Sequence, residues 1–171
     1  MMLRTLLLVA CSMAIYAGEL HEATFEGDIA KIQTLLDQHH NVDEQNDAGL
    51  SALHVAIKLG DLKIAQYLLD RHADINAQDF QGNTPLILAV KKKNFELVTF
   101  VVLHGADINL ANNDGITPLH QAAFSGNVQV VDFLLKAKAD PHLTNNDGAT
   151  PYDFAIAKEN FLIASMIKLY M

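Results

Sequence analysis

Three side chains capable of chemistry lie close together in the segment 112–123: Asp114, Thr117 and His120. A histidine can act as a general base or as a metal ligand, and a neighbouring hydroxyl or carboxylate could assist it. Such chemistry needs its groups at one place in the molecule. A catalytic set therefore has no reason to recur along the chain, so recurrence decides between catalysis and architecture.

The segment recurs with a period of 33 residues. One series of glycines is in phase: Gly49, Gly82, Gly115 and Gly148. A series of alanines shares the period: Ala56, Ala89, Ala122 and Ala155. A second block repeats as HADIN at 72–76, GADIN at 105–109 and KADPH at 138–142. A structural unit that stacks on copies of itself produces this pattern, and the sequence therefore predicts a repeat architecture.

Each unit is typical of a turn, a helix, a second turn and a second helix. In residues 112–144, Gly115 supplies a tight turn, Thr117 is a natural N-cap, and Pro118 occupies the first helical position, where no N–H is needed. Gly126 lies in the break after the first helix, and an apolar run over 128–135 follows as the second helix.

These two blocks resemble the ankyrin repeat. The segment Gly115–Ala123, GITPLHQAA, matches the family's G-x-T-P-L-H-x-A-A, and Val101–Asn109, VVLHGADIN, is similar to its L-L-x-x-G-A-D-x-N. The resemblance implies an all-α fold, a solenoid of helix-turn-helix units with short β-hairpin loops. It also implies a repeat domain over residues 18–171, in five units: 19–45, 46–78, 79–111, 112–144 and 145–171, of which the first and last are capping repeats.

Several positions depart from the family pattern. Lys93 and Glu159 replace the glycine that breaks the first helix, and His72 and Lys138 replace the glycine before Ala-Asp. Two further departures are Ile87 and Asp153, which replace the histidine of the Thr-Pro-Leu-His motif.

The first 17 residues have a different character. Arg4 is followed by an apolar run that ends at Ala17, which is typical of a signal peptide and too short to span a bilayer. We expect cleavage after residue 17, which would place an exported, bacterial protein in the periplasm or secrete it. Two alternatives are an extra apolar helix that covers the first repeat and a lipobox ending at Cys11. Only lipidation of Cys11 would attach the protein to a membrane.

Composition and motifs argue against several functions. The net charge of −8 argues against binding to nucleic acid, which needs a basic surface. The chain has one cysteine and no hydrolase, metalloprotease or nucleotide-binding motif, so we predict no enzyme and no cofactor. His21, His54 and His120 occupy one site in different units, about 8–10 Å apart in adjacent stacked helices. We therefore predict that they bond to nearby hairpin backbone rather than bind a metal.

In ankyrin-type stacks the hairpin tips and the first helices form a concave groove that binds partners. Repeat phase places nine residues there: Leu50, Leu59, Phe80, Gln81, Lys91, Lys92, Asn113, Ile116 and Phe124. The apolar members are expected to face water, which is typical of binding anchors. The lysines have a second interpretation, as solvated residues that complement the helix dipole.

The resemblance therefore implies a non-catalytic protein-interaction module or scaffold that binds an exported partner protein through this groove. One alternative is a secreted effector or toxin-like protein that acts on a host target. Another is a structural element that self-associates through its last helix, which is unusually apolar for a cap: Phe161, Leu162, Ile163, Ile167 and Leu169.

Overall fold

The structure is a computed structural model that describes residues 18–171. The predicted signal peptide of residues 1–17 and the lipobox residue Cys11 lie outside the described residues. The described chain forms two compact units, residues 18–80 and residues 81–171.

The first unit holds two helix-turn-helix pairs. Its four helices are α1 Glu19–Glu26, α2 Ile29–Asp37, α3 Ala52–Leu59 and α4 Leu62–Asp70. Helix α1 packs against α2 and α3, and α3 packs against α4. The second unit holds three such pairs: α5 Pro85–Lys91 with α6 Phe95–Leu103, α7 Pro118–Ser125 with α8 Val128–Lys136, and α9 Pro151–Ala157 with α10 Phe161–Lys168.

The predicted all-α class with helix-turn-helix units is confirmed. The loops before the first helices are tight turns rather than β-hairpins, because no strand occurs between residues 18 and 171. In the loop before α7, the N–H of Gly115 donates to the carbonyl of Asn112 at 2.9 Å. The N–H of Asn112 donates in turn to the carbonyl of Ile116 at 3.1 Å. Two bonds close the turn, and no ladder extends from it.

Most first helices begin at a hydroxyl cap. Thr117 accepts a hydrogen bond from the N–H of His120, while the His120 side chain accepts from the N–H of Thr117. The same reciprocal arrangement joins Ser51 to His54 and Thr150 to Asp153. These caps satisfy backbone donors that a helix leaves unpaired at its start, and so fix where each helix begins.

The departures from the glycine pattern keep the glycine conformation. Gly126 ends α7 with φ of 70°, and Lys93 and Glu159 adopt φ of 57° and 58° at the corresponding helix ends. Lys138 and His72 likewise adopt positive φ, of 70° and 66°. Since this conformation costs a residue with a Cβ about 1–2 kcal/mol, packing of the neighbouring helices must offset that strain.

Small residues place the first helices of the second unit close together. Ala122 and Ala123 of α7 are fully buried, and α7 packs against α5 and α9 while α8 covers it from behind. Over residues 18–171, none of the helices has the length and apolar character needed to cross a membrane.

Candidate functional site

The first candidate, the Asp114, Thr117 and His120 group, does not form a catalytic set. The buried His120 ring uses both nitrogens: Nδ1 lies 2.8 Å from the Thr117 hydroxyl, and Nε2 lies 3.0 Å from the carbonyl of Ala149 in the next turn. Asp114 lies in the preceding turn, where its carbonyl accepts from the N–H of Asn146. The Thr117 hydroxyl and the His120 imidazole thus form hydrogen bonds that cap the helix and join it to the next turn.

The prediction that these histidines bond to turn backbone is confirmed at two of its sites. His21 Nε2 lies 2.7 Å from the carbonyl of Leu50, which matches the bond from His120 to Ala149. Burial lowers the pKa of His120, and the bond to Ala149 and the charge of Asp153 only partly oppose that effect. Within residues 18–171, no three His, Cys, Asp or Glu side chains are grouped so that they could hold a metal ion.

Asp153 takes over the capping half of the histidine's role. Its carboxylate accepts hydrogen bonds from the Thr150 hydroxyl at 2.6 Å and from the Thr150 N–H at 2.8 Å. These two bonds stabilise the ionised form and hold the pKa of Asp153 below its usual value.

In the first unit, the prediction that Leu50 faces water is wrong. Its side chain is only 3% exposed, and its N–H and carbonyl both bond to Asn46. Leu59 and Phe80 do face solvent, and Phe80 is 65% exposed. The ring of Phe80 nevertheless lies against the turn at Gly49, because a Cβ at that glycine would overlap it. Phe80 therefore supports the turn and still presents most of its surface.

In the second unit, Gln81 and Asn113 are exposed but already bonded to their own chain. The carbonyl of Gln81 accepts the N–H of Asn113 at 3.0 Å, and the carbonyl of Asn113 accepts the amide of Asn146 at 2.8 Å. Ile116 is half-buried. The backbone groups of Gln81 and Asn113 thus hold successive loops together. Only the exposed parts of their side chains could contact a partner.

Lys91 lies on the exposed side of α5 and reaches back to the loop that precedes the helix. Its Nζ donates to the Asn83 side-chain oxygen at 2.8 Å. The same oxygen accepts from Asn112 at 3.2 Å, and the Asn83 amide donates to Gln81 at 3.1 Å. Repeat phase also places Asn83 at this turn, directly after the turn glycine, but its side chain is buried. A cluster of neutral amides thus holds the Lys91 ammonium in place.

Phe124, near the end of α7, contacts an aromatic ring and a lysine of the next repeat. Its ring is 49% exposed, and its centroid lies 6.3 Å from that of Phe154 on α9. The ammonium of Lys158 lies 4.2 Å above the Phe124 ring, a cation–π contact. Lys158 was missed by sequence reasoning, since only the side-chain path brings it over a ring on the neighbouring helix.

Two amide side chains fix the ends of these helices side by side. Asn127 donates to the carbonyl of Lys93 at 3.4 Å, and Asn160 donates to the carbonyl of Ala123 at 3.3 Å. Phe124 of α7 is exposed, as predicted, and so are Lys91 at the end of α5 and Lys92 directly after it. Because α7 packs against both α5 and α9, we group these residues with Lys158 and call them the lysine–phenylalanine face: Lys91, Lys92, Phe124 and Lys158.

Comparison with known protein families decides the classification. The family described as "Ankyrin repeats (3 copies)" matches residues 20–112 and 93–168, which together span nearly all of the described chain. The chain belongs to the ankyrin-repeat family. No curated protein matches it as a relative. Ankyrin repeats are generally protein–protein interaction modules, and the family is generally non-catalytic.

The last ankyrin repeat divides the apolar residues of α10 between core and surface. Ile163 and Ile167 are buried, so they belong to the core of the second unit rather than to an apolar outer face. Phe161, Leu162 and Leu169 are 63%, 64% and 84% exposed. Three of the five apolar residues named from the sequence therefore lie at the surface, two at the start of α10 and one directly after its end.

Proposed function

We propose that this ankyrin-repeat protein is a scaffold that binds another exported protein, and that the lysine–phenylalanine face is the centre of its binding surface. One observation carries the proposal: Phe124 is half exposed, yet Phe154 and Lys158 hold its ring. An aromatic ring that is fixed before binding loses little entropy when a partner covers it. Rigid aromatic anchors of this kind dominate the energetics of many protein interfaces.

The neighbouring groups are suited to a preformed surface. The Lys91 ammonium is held by Asn83, and the ends of α5 and α7 are held by Asn127 and Asn160. None of the four side chains of the face fills the core, because all four are exposed. Replacing them should therefore change binding much more than folding.

Phe124→Ala is expected to weaken binding to the natural partner at least ~30-fold, since an aromatic anchor contributes about 2 kcal/mol or more. The partner is first identified by affinity capture from the exporting compartment and mass spectrometry, and its dissociation constant is then measured by calorimetry. Gln129→Ala is the matched control, because Gln129 is also exposed but lies on the second helix α8. Equal losses in both variants, or normal binding by a folded Phe124→Ala protein, would move the site away from this face.

Export is the second part of the proposal. It is supported by Arg4 and the apolar run that follows it, which ends next to the first repeat. The expected result is an intact mass that corresponds to a chain beginning at Gly18, in protein recovered from the periplasm or the medium. A chain that retains residues 1–17 in the cytoplasm contradicts export, whereas a diacylated Cys11 replaces cleavage after Ala17 by lipidation.

A further inference from the structure

We infer that the partner segment bound by the lysine–phenylalanine face is acidic, with carboxylates on both sides of an apolar side chain that covers Phe124. This inference rests on the proposed function, because it names the chemistry of the partner at the same face. It follows from the contacts that hold Lys91 and Lys158 and from the positions of the carboxylates in the second unit.

Lys91 carries a charge that the protein positions but does not neutralise. Its only hydrogen bond in the described structure goes to the neutral side-chain oxygen of Asn83, at 2.8 Å. That oxygen also accepts from Asn112, so the ammonium is fixed by a network of amides. A lysine without a fixed partner would keep its side-chain freedom, which costs free energy when a ligand removes it.

Lys158 is positioned in the same manner on the other side of the Phe124 helix. Its ammonium lies over the Phe124 ring at 4.2 Å, and the ring is a neutral partner. Elsewhere in the described chain, basic side chains do pair with carboxylates, as Lys31 does with Glu22, Arg71 with Asp37, and Lys136 with Asp132. The ammonium groups of Lys91 and Lys158, on the helix pairs either side of α7, thus keep their charge available for a carboxylate from outside.

The distribution of charge distinguishes the second unit, which carries this face, from the first unit. Residues 18–80 contain twelve acidic and four basic residues, whereas residues 81–171 contain eight acidic residues and seven lysines. Several carboxylates of the second unit are used elsewhere: Asp132 pairs with Lys136, and Asp153 caps α9. Asp114 and Asp147 lie in the turns. The acidic residue nearest to Lys158 in the sequence is Glu159, which directly follows it.

These features favour one class of partner. A basic segment would be repelled by the fixed ammonium groups, and a purely apolar one would remove them from water without compensation. An acidic segment with a central apolar side chain would pair both charges and bury the exposed half of the Phe124 ring. Such charge complementarity acts mainly on specificity and association rate, and it weakens as salt is added.

Selection from a library of random peptides of about 12 residues, displayed against the whole protein, tests the inference without knowledge of the natural partner. We expect the enriched peptides to carry a net negative charge with an apolar residue between acids. A synthetic copy of the most enriched peptide should bind the Lys91→Glu/Lys158→Glu protein at least about tenfold more weakly, and the binding of that variant should depend less on salt. Phe124→Ala should remove the preference for the apolar residue while the acidic preference remains.

The control variant is Lys138→Glu/Lys168→Glu, which changes the net charge equally at exposed positions that follow or end second helices. Its affinity for the acidic peptide should change less than about twofold. Enriched peptides that are neutral or basic, but lose binding with Phe124→Ala, overturn the acidic partner and leave the proposed function intact. Acidic peptides that bind both charge variants equally also overturn it. If the binding of every enriched peptide is independent of all four residues of the face, the proposed function is overturned as well.

Discussion

Gly115→Ala is expected to lower the free energy of unfolding by about 3 kcal/mol, whereas Gly148→Ala should lower it by about 1 kcal/mol. Both glycines have a positive φ, of 75° and 79°, so a Cβ is strained at either site. They differ in their surroundings. A Cβ at Gly115 would lie 2.8 Å from Asn145 Cα and 2.8 Å from Asn146 N, while one at Gly148 would meet nothing within 4 Å.

The difference between the two variants isolates the close approach of successive turns. Backbone atoms cannot rotate away as a side chain can, so the loop at Asn145 would have to move and strain its bond to Asp114. Urea unfolding of the two variants and the parent protein gives the three free energies under one condition. Equal losses would mean that the backbone conformation alone requires glycine, and that the contact between turns contributes nothing.

Most of the architecture could be predicted because it depends on local chemistry that repeats. The Thr-Pro start of α7 and α9, the turn at Gly115 and the alanines of α7 each have a local physical cause, and the period of 33 residues places them in register. Ser51 and Thr117 cap their helices for the same reason, so helix positions followed from the sequence with little reference to the rest of the chain.

Exposure at the turns was harder to predict, because repeat phase gives position but not side-chain direction. Leu50 and Asn83 occupy the same place in successive repeats, and both are buried, while Ile116 at the next equivalent place is half-buried. The residue after the turn glycine is thus wholly or partly shielded from water. Its carbonyl is also the acceptor for the buried histidine, as the His21 bond to Leu50 shows. An apolar residue there is part of the core rather than an anchor.

The candidate site contained a second element that the sequence could not provide. Lys158 lies over Phe124 although 34 positions separate them, and no motif marks such a contact. It arises because α7 and α9 are held side by side by small residues, so that Phe154 and Lys158 of one repeat reach the ring of the previous repeat. Pairing between repeats depends on individual side chains, and these vary where the structural motif does not.

The first repeat shows what the histidine site needs to be complete. Gly18 stands where the other repeats have Ser51 or Thr117, and it has no hydroxyl to cap the helix. His21 Nδ1 is consequently buried without a hydrogen-bond partner in the described structure, whereas His120 Nδ1 has two. The complete arrangement joins three parts: a capping hydroxyl, the ring, and a carbonyl of the following turn.

His120→Ala is expected to lower the free energy of unfolding by about 2–4 kcal/mol at pH 8, because it removes a buried ring and leaves the carbonyl of Ala149 without its donor. The ring is in the form with its proton on Nε2, since Nδ1 accepts the N–H of Thr117 at 3.2 Å. Its contact with the edge of Phe154, at 5.2 Å between centroids, is lost as well. Gln121→Ala on the same helix should cost much less, since Gln121 is only half-buried.

The stability contributed by His120 should also depend on pH, in a direction that its environment fixes. Burial lowers the pKa of His120 in the folded protein below the value of about 6.5 in the unfolded chain. On acidification the unfolded chain takes up the proton first, so the contribution is fully present above pH 6.5 and is lost as the pH falls through the folded pKa. The gap in unfolding free energy between the parent protein and His120→Ala should therefore narrow between pH 8 and pH 5, while the gap to Gln121→Ala stays constant. A gap that widens on acidification would instead mean that the carboxylate of Asp153 outweighs burial and that the folded protein holds His120 in its charged form.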